Sequence, residues 1–396
     1  MKIIPWALPL FILLMILLMM VSQEAAGDEF KVTPAIAVKQ EYNDNILYWP
    51  SDTQHDFITT TSPELNITDK TERMEANLSG RLDERLYSIH GGLNATDQFY
   101  EGSGKYALTP RLNLSGKAFY SQDSNPDRDL NVTGLALTNV QRARQDYSVS
   151  GDYLLSEKTR TTFSYDYLKD NYDSPTYTDL EANTMGIGFI HNLSYFMQAT
   201  KARGNIVYAS YNMTGAQVDN YEATIGINRA LNEKWNLLLD GGARYTDTKI
   251  SVYVPIEEVG RSQGYGPIGS LALTYAGEVS NASITIRQDV LPASGITGAS
   301  ERTSSSFSVD RKFTYELSGI LSGGYFVNKA SAGELSATRI DEESIWISPN
   351  VRYELTKDAY IEASYTYNKT WYHVTQETAE RNLFLLRFRV QHDVFH

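Results

Sequence analysis

The stretch YELTKDAYIEASYTY, residues 353–367, decides how the whole chain is read. One strand runs into Leu355, Thr356, Lys357 and Asp358, and a second leaves them. Past Asp358, the residues Ala359, Ile361, Ala363, Tyr365 and Tyr367 alternate with Tyr360, Glu362, Ser364 and Thr366. Successive side chains of a strand point to opposite faces, so these are two faces of one strand. The Glu362 face suits water. The Ile361 face suits lipid, with Tyr365 and Tyr367 near the interface.

The same strand–turn–strand unit recurs at 106–116 (YALTPRLNLSG), at 153–165 and at 230–239. A tight polar turn followed by roughly ten alternating residues is what a transmembrane β-hairpin requires. Short turns fall near 69–72, 107–110, 155–158, 192–200, 231–234, 276–280, 314–317 and 355–358. Long polar connections fall near 84–96, 121–141, 168–180, 212–219, 246–263, 290–302, 327–342 and 368–382. The two kinds alternate along the chain. A soluble β-sandwich has no reason to sort its loops this way, whereas an outer-membrane barrel has short periplasmic turns and long extracellular loops. The expected fold is therefore all-β: a single transmembrane antiparallel β-barrel of about 18 strands, with about 16 as the alternative count.

Composition agrees. Hydrophobic residues make up 42% of the 396 residues, and the mean hydropathy of −0.35 is too polar for a bundle of membrane helices. A barrel tolerates this, because only every second strand residue meets lipid. Tyr is abundant, 27 against 14 Phe and 5 Trp, and its apolar ring with a wet tip suits strand ends at an interface. There is no Cys, which excludes a disulfide scaffold and thiolate metal sites. A net charge of −13 argues against a nucleic-acid partner.

The chain opens with Met1-Lys2, an apolar run from Ile3 to Val21 and small residues Ala25, Ala26 and Gly27. This is the pattern of a secretory signal peptide, residues 1–27, cleaved after Gly27; a retained helix is the alternative. Residues 28–396 form the barrel. The final alternating run, Phe384, Leu386, Phe388 and Val390, is the kind of strand read by the barrel assembly machinery, although Phe395 lies out of phase with it. Outer-membrane lipid and that machinery are the expected partners, and the bacterial (Gram-negative) outer membrane the expected location.

Charges facing hydrocarbon at mid-depth would cost about 2–4 kcal/mol for each Arg or Lys. The phasing that hides them points Arg81, Arg160, Asp166, Asp240, Arg244, Arg287, Asp289, Glu362 and Arg387 into the lumen, together with Trp346. A charge-lined aqueous passage is the functional reading; cross-strand ion pairing and solvation of the inner wall is the plainer one. Phe119, Phe326 and Tyr360 share the inward phase. Asp123, Asn125, Asp127 and Asp129 have the spacing of half a calcium loop, but Arg128 replaces the turn glycine and Gly134 the final Glu, so a solvated outer loop is expected. His90 and His373 fall in outer loops beside acids, yet no Ser–His or Asp–His spacing stands out. The chain reads as a non-enzyme with no cofactor and no metal. The longest connections, 121–141 and 246–263, are the candidates for a loop folded inward to constrict the pore.

The runs GPIGSLALTY (266–275), NASITIRQD (281–289), ERTS (301–304), FTYELSG (313–319) and EYNDN (41–45) resemble the outer-membrane β-barrel porin family often associated with bacterial exopolysaccharide gene clusters. The resemblance implies a conduit serving exopolysaccharide secretion, with the polysaccharide and its export machinery as partners. A general diffusion porin and a closed structural or surface barrel are the other readings. The family brings no catalytic residues to carry over. Orientation is testable directly. A Cys introduced at Asn125 should react with an impermeant maleimide on intact cells, and one at Glu233 should not; labelling at Glu233 alone would invert the topology.

Overall fold

The computed structural model describes residues 29–124, 140–254, 256–292 and 295–394. Residues 1–28, which include the expected signal peptide, residues 125–129 of the calcium-like spacing and Phe395 lie outside them. Eighteen antiparallel strands form one sheet. They are β1 (Glu29–Asn43), β2 (Asp56–Lys70), β3 (Met74–Tyr87), β4 (Ala95–Thr109), β5 (Leu112–Asp123) and β6 (Arg142–Ser156). Then come β7 (Thr159–Tyr172), β8 (Leu180–Asn192), β9 (Thr200–Met213), β10 (Ala216–Ala230), β11 (Trp235–Val254) and β12 (Ile256–Ala276). The last third comprises β13 (Ser280–Pro292), β14 (Ala299–Lys312), β15 (Leu317–Ala330), β16 (Ile340–Thr356), β17 (Ala359–Tyr372) and β18 (Glu377–Gln391). Each strand pairs with the next, and β1 pairs with β18 from Ala35↔Gln391 to Asn43↔Leu383, closing the barrel.

The recurring polar turn has one physical cause. In four of the short hairpins a Thr or Asn oxygen, at Thr71, Thr109, Asn232 and Thr314, accepts N–H groups two and three residues on. Ser156 and Thr356 accept the N–H two residues on. Thr109 takes Arg111 and Leu112, Asn232 takes Lys234 and Trp235, and Thr314 takes Glu316 and Leu317. The side chain thus satisfies backbone donors that the reversing chain leaves unpaired.

Alternation sorts the two faces. Ile36, Val38, Phe163, Ile284, Ile286, Ile347, Phe384 and Leu386 are exposed on the outside, while Glu41, Thr60, Arg85, Asp97, Asp170, Asn220 and Arg381 are buried inside. An aromatic belt crosses the outer surface: Tyr208, Tyr221, Tyr245 and Tyr265 neighbour one another at 4.9, 6.1 and 4.9 Å. Trp235 and Tyr275, 5.0 Å apart, mark the opposite rim.

Several connections are shorter than their polar sequence suggests. The 212–219 segment closes in a two-residue turn at Thr214 and Gly215, and 246–263 is a projecting β11–β12 hairpin. Above the membrane both faces of a strand are wet, so alternation stops while the backbone ladder continues. The parity of long and short connections fails at these two places for that reason.

The wall has one discontinuity. β12 pairs with β13 only from Gly269↔Gln288 to Ala276↔Asn281, whereas β13 stays paired with β14 up to Pro292↔Ala299. Continued in the same register, Pro267 would face Val290 and Tyr265 would face Pro292. Proline has no N–H, so each side of this seam lacks a donor. Pro63 and Pro349 also coincide with gaps in a ladder, but there the pairing resumes.

Leu273→Arg, on the lipid phase beside Leu237 and Ile284, should cost about 2–4 kcal/mol and depress folded yield on heat-modifiable gel mobility. Ser270→Arg points inward beside Asp240, 3.4 Å from the serine hydroxyl, and should fold normally. The reverse ranking would place the register one residue off.

Candidate functional site

Two features define the lumen: a ladder of ion pairs on one side and a hairpin that crosses the outer mouth.

The ladder follows the inner faces of β1–β6 and β16–β18 and reaches β7 at its top. Near the periplasmic end Arg389 donates to Glu64 at 2.8 Å, and Arg352 and Arg387 share Glu362 at 2.8 and 3.4 Å. Higher up, Arg81 meets Asp83 at 3.0 Å and lies over the Phe99 ring. Above it Arg85 pairs with Asp97 at 2.7 Å, and Arg142 and Arg144 both reach Asp170. These rungs line a cavity of about 590 Å³, whose wall carries Lys39, Arg81, Arg85, Arg142, Arg144, Arg387 and Arg389 against Glu64, Asp83, Asp97 and Asp123. Phe99, Phe119 and Tyr360 complete it. The upper rungs are buried, and removing one partner of such a pair leaves an uncompensated charge at a cost of about 3–5 kcal/mol.

The ten residues singled out from sequence do not converge on one site. Arg81 and Arg387 line this cavity, and Glu362 bonds to Arg387. Arg287, Asp289 and Trp346 line a second cavity of about 250 Å³, with Phe326 and Arg302, whose guanidinium lies over the Phe326 ring. Asp240 meets Arg203 at 3.4 Å. Arg244 is buried, donates to Thr246 at 2.7 Å and pairs with Glu301. Arg160 lies in a cavity at the periplasmic end with Lys158, Lys201 and Arg203. Asp166 stands across from Ser148 and Thr184. The upper rungs Arg85, Asp97, Arg142, Arg144 and Asp170 fall in or beside segments that read as loops. The signal that finds them is the alternation itself, continued through Arg142, Arg144 and Asp146 and through Asp166, Leu168 and Asp170.

The mouth is crossed by the upper halves of β13 and β14 with their loop. Val290 and Ala299 share the outward phase of Ile284, Ile286 and Phe307. Yet they are buried against Leu180, Ala182, Ala209, Tyr211 and Val218, on the inward phase of β8–β10. The outer face of this hairpin therefore lies on the inner wall of the barrel. The Arg244–Glu301 pair joins the same two surfaces. The Thr178 N–H donates to the Gly295 carbonyl at 3.1 Å, and Ala299 and Ala337 tie the loop to the 331–339 connection. Gly298 has φ +125°, and a Cβ there would sit 2.4 Å from Ser336 Cα, so only glycine fits. The element folded inward is thus 288–292 with 295–302, not 246–263; most of 121–141 lies outside the described residues.

The mouth histidines hold loops. Asp56 accepts the N–H groups of Ser88, Ile89 and His90 and meets the His90 ring at 2.9 Å. Burial works against its charge, but these donors hold its carboxyl below the usual range. His373 lies 3.4 Å from Glu343. Asp123 of the calcium-like spacing is buried beside Arg142, at 3.6 Å. Among the described residues no group of acids and histidines could hold a metal ion.

A closed antiparallel barrel with an apolar, aromatic-belted exterior and a charged interior is an outer-membrane β-barrel channel, and this chain resides in the bacterial outer membrane. Residues 24–179 match the family described as "Putative beta-barrel porin 2". No curated protein matches it. Among solved structures it is similar to OccAB4 of Acinetobacter baumannii, at 11% identity and TM-score 0.48 over 94% of this chain and 100% of that one. It is also similar to OccK2 (OpdF) of Pseudomonas aeruginosa, at 8% identity and TM-score 0.48 over 93% and 100%.

Glu342 stands at the extracellular end of β16, beyond the aromatic belt, facing Arg302 and Tyr372, with Glu377 and Tyr48 behind the tyrosine. Burial pushes its carboxyl up to about 7, against a hydrogen bond from Asn328 and the Arg302 charge. A raised carboxyl pKa means that the folded mouth binds the proton more tightly than the unfolded chain. The stabilisation is complete below the ordinary value of 4.5 and is lost as pH rises through about 7. Protection factors across 331–342, with the base-catalysed intrinsic exchange rate divided out, should therefore fall between about pH 6 and about 8, and Glu342→Gln should remove that fall.

Proposed function

We propose that this channel is a gated conduit for exopolysaccharide secretion, without catalytic chemistry of its own. The observation that carries the reading is the inward hairpin. A general diffusion porin must stay open to small solutes. Here the mouth is crossed by a segment whose alternative place in the wall, the vacant edge of β12, adjoins it.

The two placements are close in energy. Held inward, Val290 is buried, which stabilises by about 1.5–3 kcal/mol. Swung outward, the hairpin would regain a few ladder hydrogen bonds of about 0.5–1.5 kcal/mol each, fewer than usual because Pro267 and Pro292 lack donors. Val290 and Ala299 would then face outward, and Glu301 would stay opposite Lys329. Such a balance makes a gate rather than a plug. The inner wall suits a hydroxylated polymer: Ser, Thr, Arg and carboxylate groups hydrogen-bond to sugars, and no one-sign ring selects small ions.

Deletion should lower cell-surface polysaccharide while leaving small-solute uptake nearly unchanged, and the purified barrel should be closed in planar bilayers. Glu301 is 45% exposed, so its pair with Arg244 contributes about 1 kcal/mol, and Glu301→Gln should raise the open fraction about fivefold. A disulfide between Val218→Cys and Val290→Cys should lock the mouth and block export until reduced. Large, steady conductance from the unmodified protein with a normal coat in the deletion strain would favour the diffusion porin. A silent channel with a normal coat would favour the closed structural barrel.

A further inference from the structure

We propose that the ion-pair ladder is a guiding track for an acidic polymer, so that the chain passing through carries carboxylates. This rests on the conduit reading above. The whole protein has a net charge of −13, and the cations of the ladder cavity are each paired with a carboxylate. Yet the cations reach further into the lumen: Arg352 is 40% exposed against 8% for its partner Glu362, and Arg81 and Arg387 are likewise more exposed than Asp83 and Glu362. The surface offered to the lumen is thus more cationic than the protein as a whole. An anionic chain is drawn into the lumen while the acidic remainder repels it from other surfaces.

The geometry of the lower rungs favours exchange over capture. Arg352 and Arg387 share one carboxylate, Glu362, and Arg387 reaches it through a single contact of 3.4 Å. A guanidinium has five N–H donors in a planar fork, so Arg387 holds further donors for a passing carboxylate. Arg389 directs two nitrogens at one oxygen of Glu64. Arg81 and Arg387 are 43% and 37% exposed, so solvent in the lumen reaches them. Each has an ion partner already. Binding a ligand carboxylate therefore replaces one pair with another, and the net gain per rung stays small. That is what transit demands: favourable binding, distributed over many weak sites. The Phe99 and Tyr360 rings lie 4.3 Å from the guanidinium carbons of Arg81 and Arg352 and hold them by cation–π contact.

The test uses the full-length barrel in detergent and three probes: hexagalacturonate, maltohexaose and monomeric galacturonate. Calorimetry at low salt should show hexagalacturonate binding at least about tenfold more tightly than either of the others, with affinity falling as salt is added. The double variant Arg387→Gln, Arg389→Gln should lose most of that preference while keeping heat-modifiable mobility, and Arg387→Lys, Arg389→Lys should restore part of it. Equal binding of the acidic and neutral hexamers, or an unchanged preference in the folded Gln variant, would overturn the track. Monomer binding as tight as hexamer would reassign the wall to small organic acids and also overturn it. The outcomes separate from those of the conduit reading. A deletion strain that loses a neutral coat keeps the conduit and removes the acidic track. Preferential hexagalacturonate binding with an intact coat does the reverse.

Discussion

Every feature of this protein depends on one constraint: inside hydrocarbon no water is present to pair with a backbone N–H or C=O. An unpaired group there costs several kcal/mol. The strand count, the antiparallel order and the meeting of β1 with β18 are consequences, because only a closed ladder leaves no edge in lipid. The same constraint locates the one break. β13 parts from β12 above Gly269↔Gln288, towards the extracellular rim, where water can take over the abandoned backbone groups. Two prolines at that seam lower the cost further, since neither has a donor to strand.

Closure also sets the chemistry of the interior. With the apolar phase committed to lipid, the other phase must hold nearly all the charge that the strands carry. Packed at strand spacing, these charges either repel or pair, and the inner wall is accordingly a set of shared pairs such as Arg352–Glu362–Arg387 and Arg142–Asp170–Arg144. The apolar core of a soluble protein has only a small counterpart here. Its main representative among the described residues is the cluster around Val218 and Val290, which exists because one hairpin has turned its lipid-type face inward.

Much of this was legible in the chain. The unit around Thr356 and Asp358 repeats because most of the short hairpins use a side-chain oxygen to satisfy the turn, so its spacing announces the periplasmic rim. Alternation around Ile361 and Glu362 gave the facing of each strand. Legibility failed at the outer rim. Polar residues there occupy strands as readily as loops, so 246–263 read as a long loop and proved to be a hairpin, and Arg142 and Asp170 went unnoticed as wall residues.

By itself the sequence determined the class of fold, the strand number to within two and which side chains face lipid, because those follow from period-two patterning and local turn chemistry. Only the tertiary structure decided which charges meet and whether the mouth is open. The rungs join residues far apart in the chain, as Glu64 and Arg389 are, and their meeting depends on how the register accumulates around the closed barrel. The inward placement of the hairpin depends on burying Val290 and Ala299 against β8–β10. Nothing in the hairpin's own sequence records that placement, because its other half is written in β8–β10.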